Sequence, residues 1–574
     1  MPKTCRSTIN RGRWGSIVNR QSSIVNFLLI LSSLAAVQSP SGRFDAALNS
    51  AAALIEKGQF SAAASSLKPW LESHKDSGRL QALLGTALCR SAQLEEGVRH
   101  LELAFDLNRR DPAIVPELVD ACLQLRRKPE AVKWLQKLVE LPDVPLEIHR
   151  AAGAVCVRRG STDLAVRHLE KVRAINPHPL LLADLASAYF LQADYSRVLA
   201  TLDAYARKSP VPPALASLRG LTALKMGERS AALKSFRDAV AADPNEGTAN
   251  FYLGTLAAES GQLKEAIRHL EIATRTYRDR NAAHYNLALA LYKAERWQEG
   301  IVVLEKMAAD ERSSSAEVDN LLGQGYDRLD RPKEAFEAYQ KAIRQDPSNP
   351  SYVLDLGLMA LRRRTYDLAE IVFVSGVKAF PQNRNLGLAL GTTFQLRGQM
   401  EKAQQTLGEL LVRYPNDAVI YHYLGNSYFE AGRFDDAVNA FSRGIALSPG
   451  DSLLYYQSAV SLMKAGRVDD PRVAGFLDKA LELNPKLAAG HYQRAKLAAD
   501  ANDFAGAGER LRRALELDPE MSEGYFLQVR LCRQSGDTAG AAAALKRYEE
   551  LRARERERLE NDRVQGLIYS IKNQ

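Results

Sequence analysis

The sequence predicts an all-α solenoid, and three regularities predict it. Proline falls on a beat of about 34 residues, at Pro177, Pro210, Pro244, Pro347, Pro381, Pro415, Pro449, Pro485 and Pro519. The string Arg-His-Leu-Glu recurs at 99–102, 167–170 and 268–271, two and about three such periods apart. Within each period, apolar residues return at helical spacing on two short stretches split by a turn residue. In 418–451, Tyr421, Leu424, Gly425 and Tyr428 mark one face, and Gly432 breaks it. Ala437, Phe441 and Gly444 mark a second face, and Pro449 closes the unit. A fixed period of this length means one supersecondary unit copied many times, each burying its apolar face on its neighbours.

The chain opens differently. Its 574 residues carry 77 Lys and Arg against 68 Asp and Glu, a formal charge of +9. Residues 1–43 hold Lys3, Arg6, Arg11, Arg13, Arg20 and Arg43 and no acid; removing those six from 77 leaves 71 bases against 68 acids, about +3 for the body. Behind the basic stretch lies the apolar run 24–37, IVNFLLILSSLAAV, with Ala35 and Ala36 near its end. A positive start, a short apolar core and small residues predict an export signal, and so a periplasmic or cell-envelope location. Fourteen helical residues span about 21 Å, short of the roughly 30 Å hydrocarbon core. An uncleaved anchor at 24–37 and an organellar transit peptide are the alternatives, and membrane contact is expected only through an uncleaved leader.

From residue 44 the repeat takes over. The composition, 46% hydrophobic and 25% charged, excludes wholesale disorder. Fifteen units tile 44–555: 44–77, 78–111, 112–145, 146–178, 179–212, 213–246, 247–280, 281–315, 316–349, 350–383, 384–417, 418–451, 452–487, 488–521 and 522–555. A length prior of about 150 residues per domain would have given four domains instead. The eighth position is small in Gly85, Gly153, Ala186, Gly220, Gly254, Ala288, Gly323, Gly357, Gly391, Gly425, Ala459 and Ala495. So is the twentieth, as in Ala63, Gly97, Ala131, Ala165, Ala232, Ala266, Gly300 and Ala335. Small residues are needed where two helix backbones approach within about 8–10 Å. Val119 and Val529 depart at the eighth position, Val198 and Val473 at the twentieth. Gly58, Gly160, Gly227, Gly261, Gly398, Gly432, Gly466 and Gly536 take the turn between helices, where a left-handed backbone suits glycine. The remainder, 556–574, reads as a charged capping helix. Its apolar end, Val564, Leu567, Ile568 and Ile571, is expected to fold back, or else to bind a partner.

The recurring Leu-Gly, aromatic, Gly, Ala, aromatic, Ala and Pro of these units resembles the tetratricopeptide-repeat (TPR) family over 44–555. The resemblance implies a right-handed superhelix of stacked antiparallel helix pairs whose first helices line a concave groove. It also implies a non-enzymatic scaffold that binds extended partner segments there. Positions 2, 5, 6, 9, 12 and 13 of the first helices commonly face the groove in that family. They give as candidate partner-binding residues Phe251, Tyr252, Tyr285, Asn286, Tyr292, Asn320, His422, Tyr423, Asn426, Tyr456, Tyr492 and Phe526, with Phe429 nearby. Aromatics with polar handles supply contact area at low entropic cost, and Asn can pair with a peptide backbone. The same spacing equally suits packing between units.

A basic column runs down position 13: Arg90, Arg158, Lys225, Lys293, Arg328, Arg362 and Lys464. It would attract an acidic partner, or it places cations on the last helical turn, where the macrodipole favours them. No nucleotide-binding, zinc-protease or serine-hydrolase motif occurs, so no catalytic residue, metal or cofactor is expected. His100, His168 and His269 share position 23 but lie whole units apart, too far for one ion, and are read as surface or interface residues. Cys89, Cys122, Cys156 and Cys532 are read as reduced core residues, and Cys5 lies in the leader. The near-neutral body argues against nucleic acid as partner. An accessory subunit of an envelope polysaccharide or secretion system, binding glycan or enzyme, is the alternative function; a helical-repeat RNA binder is the remote one.

Overall fold

The computed structural model describes residues 42–310, 313–552 and 555–572. The basic leader and its apolar run fall outside them. Among the described residues there are thirty-one α-helices and no strand. Fifteen pairs follow one another, from Gly42–Glu56 with Phe60–Leu67 to Ser522–Ser535 with Thr538–Arg552, and a last helix, Glu555–Lys572, follows them. We number the pairs 1 to 15 in chain order. Within each body most helices pack on the next, and many first helices also touch the first helix of the adjoining pair. Among the described residues no helix is long and apolar enough to cross a membrane.

The described chain divides into two compact bodies, one ending at Ala290 and the other beginning at Leu291. In the first body, successive apolar clusters run from Phe44 to Leu88, from Ala82 to Ala165 and from Val166 to Leu256. The second has its largest cluster over Leu358–Leu424, which also takes in Val564 and Leu567 of the last helix.

Inside a pair the contact is a knob in a hole. A Cβ added at Gly425 would stand 2.4 Å from Phe441, and one at Gly357 2.3 Å from Phe373. Gly220 receives Phe236 and Gly323 receives Tyr339 in the same way. The absent side chain at position 8 is therefore the space that the large residue at position 24 fills. In pair 2 (Gly78–Arg90 and Leu94–Leu107) the backbones themselves meet. A Cβ at Gly85 would lie 3.0 Å from the Gly97 carbonyl oxygen, and one at Gly97 2.9 Å from that of Gly85. Pair 3 departs where Val119 stands in place of a small residue. Its first helix is cut to Val115–Gln124 and preceded by a 3-10 turn, Pro112–Ile114.

The turns are more uniform than their residues. All eight turn glycines have φ between 73° and 83°. Ala92, Arg126, Ala193, Glu295, Asp330, Arg364 and Asn502 take the same left-handed conformation at the same position of the other units, with φ of 56–67°. Many first helices start on a side-chain cap one residue upstream. Asp417 accepts from the Val419 and Ile420 amides at 3.0 and 3.3 Å, and Asn383 from that of Leu386 at 3.0 Å. These side chains satisfy amides that the first turn leaves without a helical partner.

Candidate functional site

The groove positions of the first helices do not form one continuous ligand face. Many are spent on bonds between adjoining pairs. Arg150, at position 5 of pair 4, donates from Nε to Asp184, at position 6 of pair 5, at 2.6 Å. Asn320 Nδ2 donates to Asp355 at 2.8 Å, and Gln324 joins the same carboxylate oxygen at 3.0 Å. Ser217 donates to Glu246 at 2.7 Å. A polar group at position 5 is thus met by one at position 6, or at the cap, of the next pair.

Four of the twelve candidates are buried against this chain's own residues. Phe251 stacks on Tyr277 with ring centroids 4.3 Å apart. Tyr292 lies against Trp297 at 4.8 Å. Asn320 is held by Asp355, and Tyr423 is enclosed in the Leu358–Leu424 cluster. Tyr252 is half-buried and stacked flat on Phe236 at 5.4 Å, while Asn286 donates back to the Ala282 carbonyl of its own helix at 2.9 Å. Tyr285, His422, Asn426 and nearby Phe429 are half-buried. His422 sits against Phe441, and burial lowers its pKa against the pull of Asp451.

Pairs 13, 14 and 15 behave differently. Tyr456, Tyr492 and Phe526 occupy position 5 of three successive first helices, Ser452–Lys464, Ala488–Asp500 and Ser522–Ser535. The two tyrosines are half-buried and Phe526 is 59% exposed. Burial raises both phenol pKa values, that of Tyr492 to about 12, with Glu523 adding to the effect. Both hydroxyls therefore stay neutral and able to donate at any physiological pH. In the first body, the first helices of pairs 4 to 6 enclose a small apolar cavity of about 160 Å³ lined by Ala154, Val157, Ser187, Leu218 and Leu221.

The basic column is not an open cationic strip. Arg90 is bonded to buried Glu117, its Nε donating at 3.2 Å. Arg362 pairs with Asp327 at 2.6 Å, beside Arg363 on the same carboxylate. Arg158 lies beside Asp120, which Arg159 grips at 2.7 and 2.8 Å. Arg328 lies over the Trp297 ring at 5.5 Å. Lys225, Lys293 and Lys464 are exposed. All seven stand on the last turn of a first helix, where the macrodipole favours cations.

The position-23 histidines are interior groups, not surface ones. His168 and His269 are buried, and His100 is half-buried. Each faces position 4 of its own pair: His100 bonds Gln81, His269 bonds Asn250 at 2.7 Å, and His168 lies against the His149 ring at 5.4 Å. Burial lowers the His168 pKa to about 3 and that of His149 to about 4. Beside His168, a cavity of about 760 Å³ runs among pairs 3 to 5, lined by Leu135, Leu164, Tyr189, Arg197 and Ala204. Cys89, Cys122 and Cys156 are free, buried thiols whose pKa burial raises to about 12, and Cys532 is half-buried.

The last helix supplies what the groove positions do not announce. Val564 and Leu567 are buried among Leu358, Leu388, Leu390, Phe394 and Tyr423, with Ile568 and Ile571 packed against the same cluster. The apolar end does fold back, onto the first helices of pairs 10 to 12. The hint lay at position 5, where Leu354 and Leu388 replace the aromatic or polar residues of the neighbouring units.

Tetratricopeptide-repeat models match residues 217–267, 253–316, 320–384 and 492–555, then 418–451, then 387–417, together just over half of the chain. No curated protein matches it. Similar solved structures include MamA 41-end from Desulfovibrio magneticus RS-1, at 19% identity, over 30% of this chain and 96% of that one, with a TM-score of 0.27. The APC/C hetero-tetramer Cut9-Hcn1 aligns at 15% identity over 84% of this chain and 95% of that one, TM-score 0.34. YrrB, a TPR protein with an unusual peptide-binding site, aligns at 20% over 33% and 95%, TM-score 0.28. With its family models, its period and its stacked helix pairs, the chain belongs to the tetratricopeptide-repeat family.

Proposed function

We propose that this protein is a non-enzymatic scaffold that captures segments of partner proteins on the inner positions of its first helices. The observation that carries the reading is the row Tyr456, Tyr492 and Phe526. It repeats one position over three adjoining pairs and leaves aromatic surface accessible. Neutral phenols beside an open ring offer both contact area and hydrogen bonds to a peptide backbone. A long preformed surface lets weak contacts add while the receptor loses little entropy. The near-neutral body supports a protein partner over nucleic acid. The basic leader and its fourteen-residue apolar run support export, with the cell envelope as the place of work.

In-cell crosslinking with mass spectrometry tests the reading. Tyr456→Ala with Tyr492→Ala should cut crosslinks from pairs 13 to 15 severalfold while far-UV circular dichroism stays unchanged. Undiminished capture by a normally helical variant would refute it.

A further inference from the structure

The last helix, Glu555–Lys572, does not extend the stack. It returns more than a hundred residues along the chain and lies on the first helices Pro350–Arg362 and Arg384–Leu396, reaching Ala418–Glu430. Its apolar residues Val564, Leu567, Ile568 and Ile571 follow the i, i+3, i+4, i+7 spacing by which an amphipathic helix anchors in a groove. Val564 is 5% exposed and Leu567 0%. Polar contacts set the register: Arg563 Nη2 meets Glu430 Oε1 at 3.1 Å, and Ser570 hydrogen-bonds the Tyr423 phenol. Gly566 faces Tyr423, and a Cβ there would stand in ordinary contact, 4.0 Å from the phenol oxygen.

Tyr423 and Glu430 hold positions 6 and 13 of their unit, and Leu358 holds position 9. The covered surface is therefore the inner face that the scaffold reading assigns to partners. Here, however, it is mostly aliphatic, with Phe394 and Tyr423 among the leucines and one carboxylate at its edge, and it carries a helix. Leu358 and Leu388 hold inner positions 9 and 5 of their units, and the segment packed on them lies outside the repeats.

We propose that the inner face of pairs 10 to 12 is a docking groove for an amphipathic helix of a partner protein, held closed in cis by this chain's own C-terminal helix. The proposal rests on the scaffold reading. The partner helix carries aliphatic residues at i, i+3, i+4 and i+7 and a cation just before the first to meet Glu430. Such a helix competes with one already tethered to the groove. Its apparent affinity is reduced by the fraction of chains whose own helix is open, so opening that helix raises capture without any new contact.

The test uses the full chain and, as probe, a fluorescein-labelled peptide with the sequence of residues 555–574, followed by anisotropy. Leu567→Asp places a charge in the dry cluster and should free the tethered helix. That chain should bind the peptide at least tenfold more tightly than wild type, with circular dichroism unchanged. Adding Glu430→Arg should weaken binding severalfold, and an Arg563→Glu peptide should restore it. Equal binding by the wild-type and Leu567→Asp chains, or binding indifferent to residue 430, overturns the proposal. A concentration-dependent wild-type dimer that Leu567→Asp abolishes also overturns it, by assigning the groove to a second copy. If the gate fails while Tyr456- and Tyr492-dependent crosslinks persist, the scaffold reading stands alone; if both fail, that reading falls with it.

Discussion

Replacing Gly425 by alanine adds one methyl group where pair 12 has no room for it. The new Cβ would stand 2.4 Å from Phe441 Cε1 and 2.6 Å from Cδ1, against the roughly 3.5–4.0 Å at which carbon atoms rest. Phe441 is fully buried, so relief must come from shifting Ala418–Glu430 away from Phe434–Leu447. Overpacking of this kind costs about 1–3 kcal/mol. Alanine returns about 1 kcal/mol through its better helix propensity, which leaves a net loss of up to about 2 kcal/mol. The chain itself provides the control. Wherever position 24 is aromatic, as in Phe236, Tyr339, Phe373 and Phe441, position 8 is glycine. Alanine at position 8 goes with leucine at position 24, as in Ala186 with Leu202 and Ala495 with Leu511. Phe441→Leu alone should cost on the order of 1 kcal/mol as a near-conservative core change. Gly425→Ala with Phe441→Leu should recover most of the overpacking loss, with a favourable coupling of about 1–2 kcal/mol in the double-mutant cycle. A stack of repeats need not unfold in one step. Hydrogen exchange of the two helices is therefore the assay, read beside urea denaturation. A Gly425→Ala chain as protected as wild type, or a strictly additive double variant, would refute the knob-in-hole account.

Asp417 combines a helix cap with a largely buried ion pair to Arg384, so Asp417→Ala should cost about 3 kcal/mol. Asp417→Asn keeps the cap and should cost visibly less; equal losses in urea titrations would show that the ion pair with Arg384 carries the whole effect and the cap none of it. Ala92→Gly relieves a left-handed backbone with φ of 67° and should stabilise pair 2 by about 0.5–1 kcal/mol, the strain removed exceeding the added chain entropy. A lowered urea midpoint would contradict that. His168, with its pKa lowered to about 3, stays neutral in the fold below pH 6.5, where the unfolded chain takes up a proton. The unfolded state then binds more protons, so stability is full at neutral pH and falls as pH drops from about 6.5 toward 3. Between pH 7 and 5 the loss should be about 2 kcal/mol from this group, with a similar contribution from His149. Hydrogen exchange of Thr162–Ile175 at the two pH values measures it, and His168→Leu should flatten the dependence.

What the sequence discloses and what it hides follow from the same repetition. Proline, the small residues at positions 8 and 20, and the turn glycines are local requirements met again in every unit. Their phase therefore discloses the helices without any knowledge of the tertiary structure. The turn was legible only in part. Glycine marks eight of its left-handed residues, while Ala92, Glu295, Arg364 and four others accept the same conformation because packing on both sides imposes it.

The inner face was harder to read, because a side chain there answers to its counterpart in the next unit. Asn320 looks like a peptide-binding asparagine until Asp355, thirty-five residues on, accepts its amide hydrogen. Arg362 looks like a free cation until Asp327, thirty-five residues back, is seen to hold it. Such partners can be sought in sequence by pairing inner positions one period apart, a comparison that composition and helical periodicity never make. The contact of Arg563 with Glu430 is of another kind, since no periodic rule links residues 133 apart. Yet its footprint is a break in the pattern: leucine at 354 and 388, in a column otherwise rich in aromatic and polar residues. Residues that obey the repeat build the stack. The place where inner positions stop obeying it, and become aliphatic together in adjoining units, is where something outside the repeat must cover them.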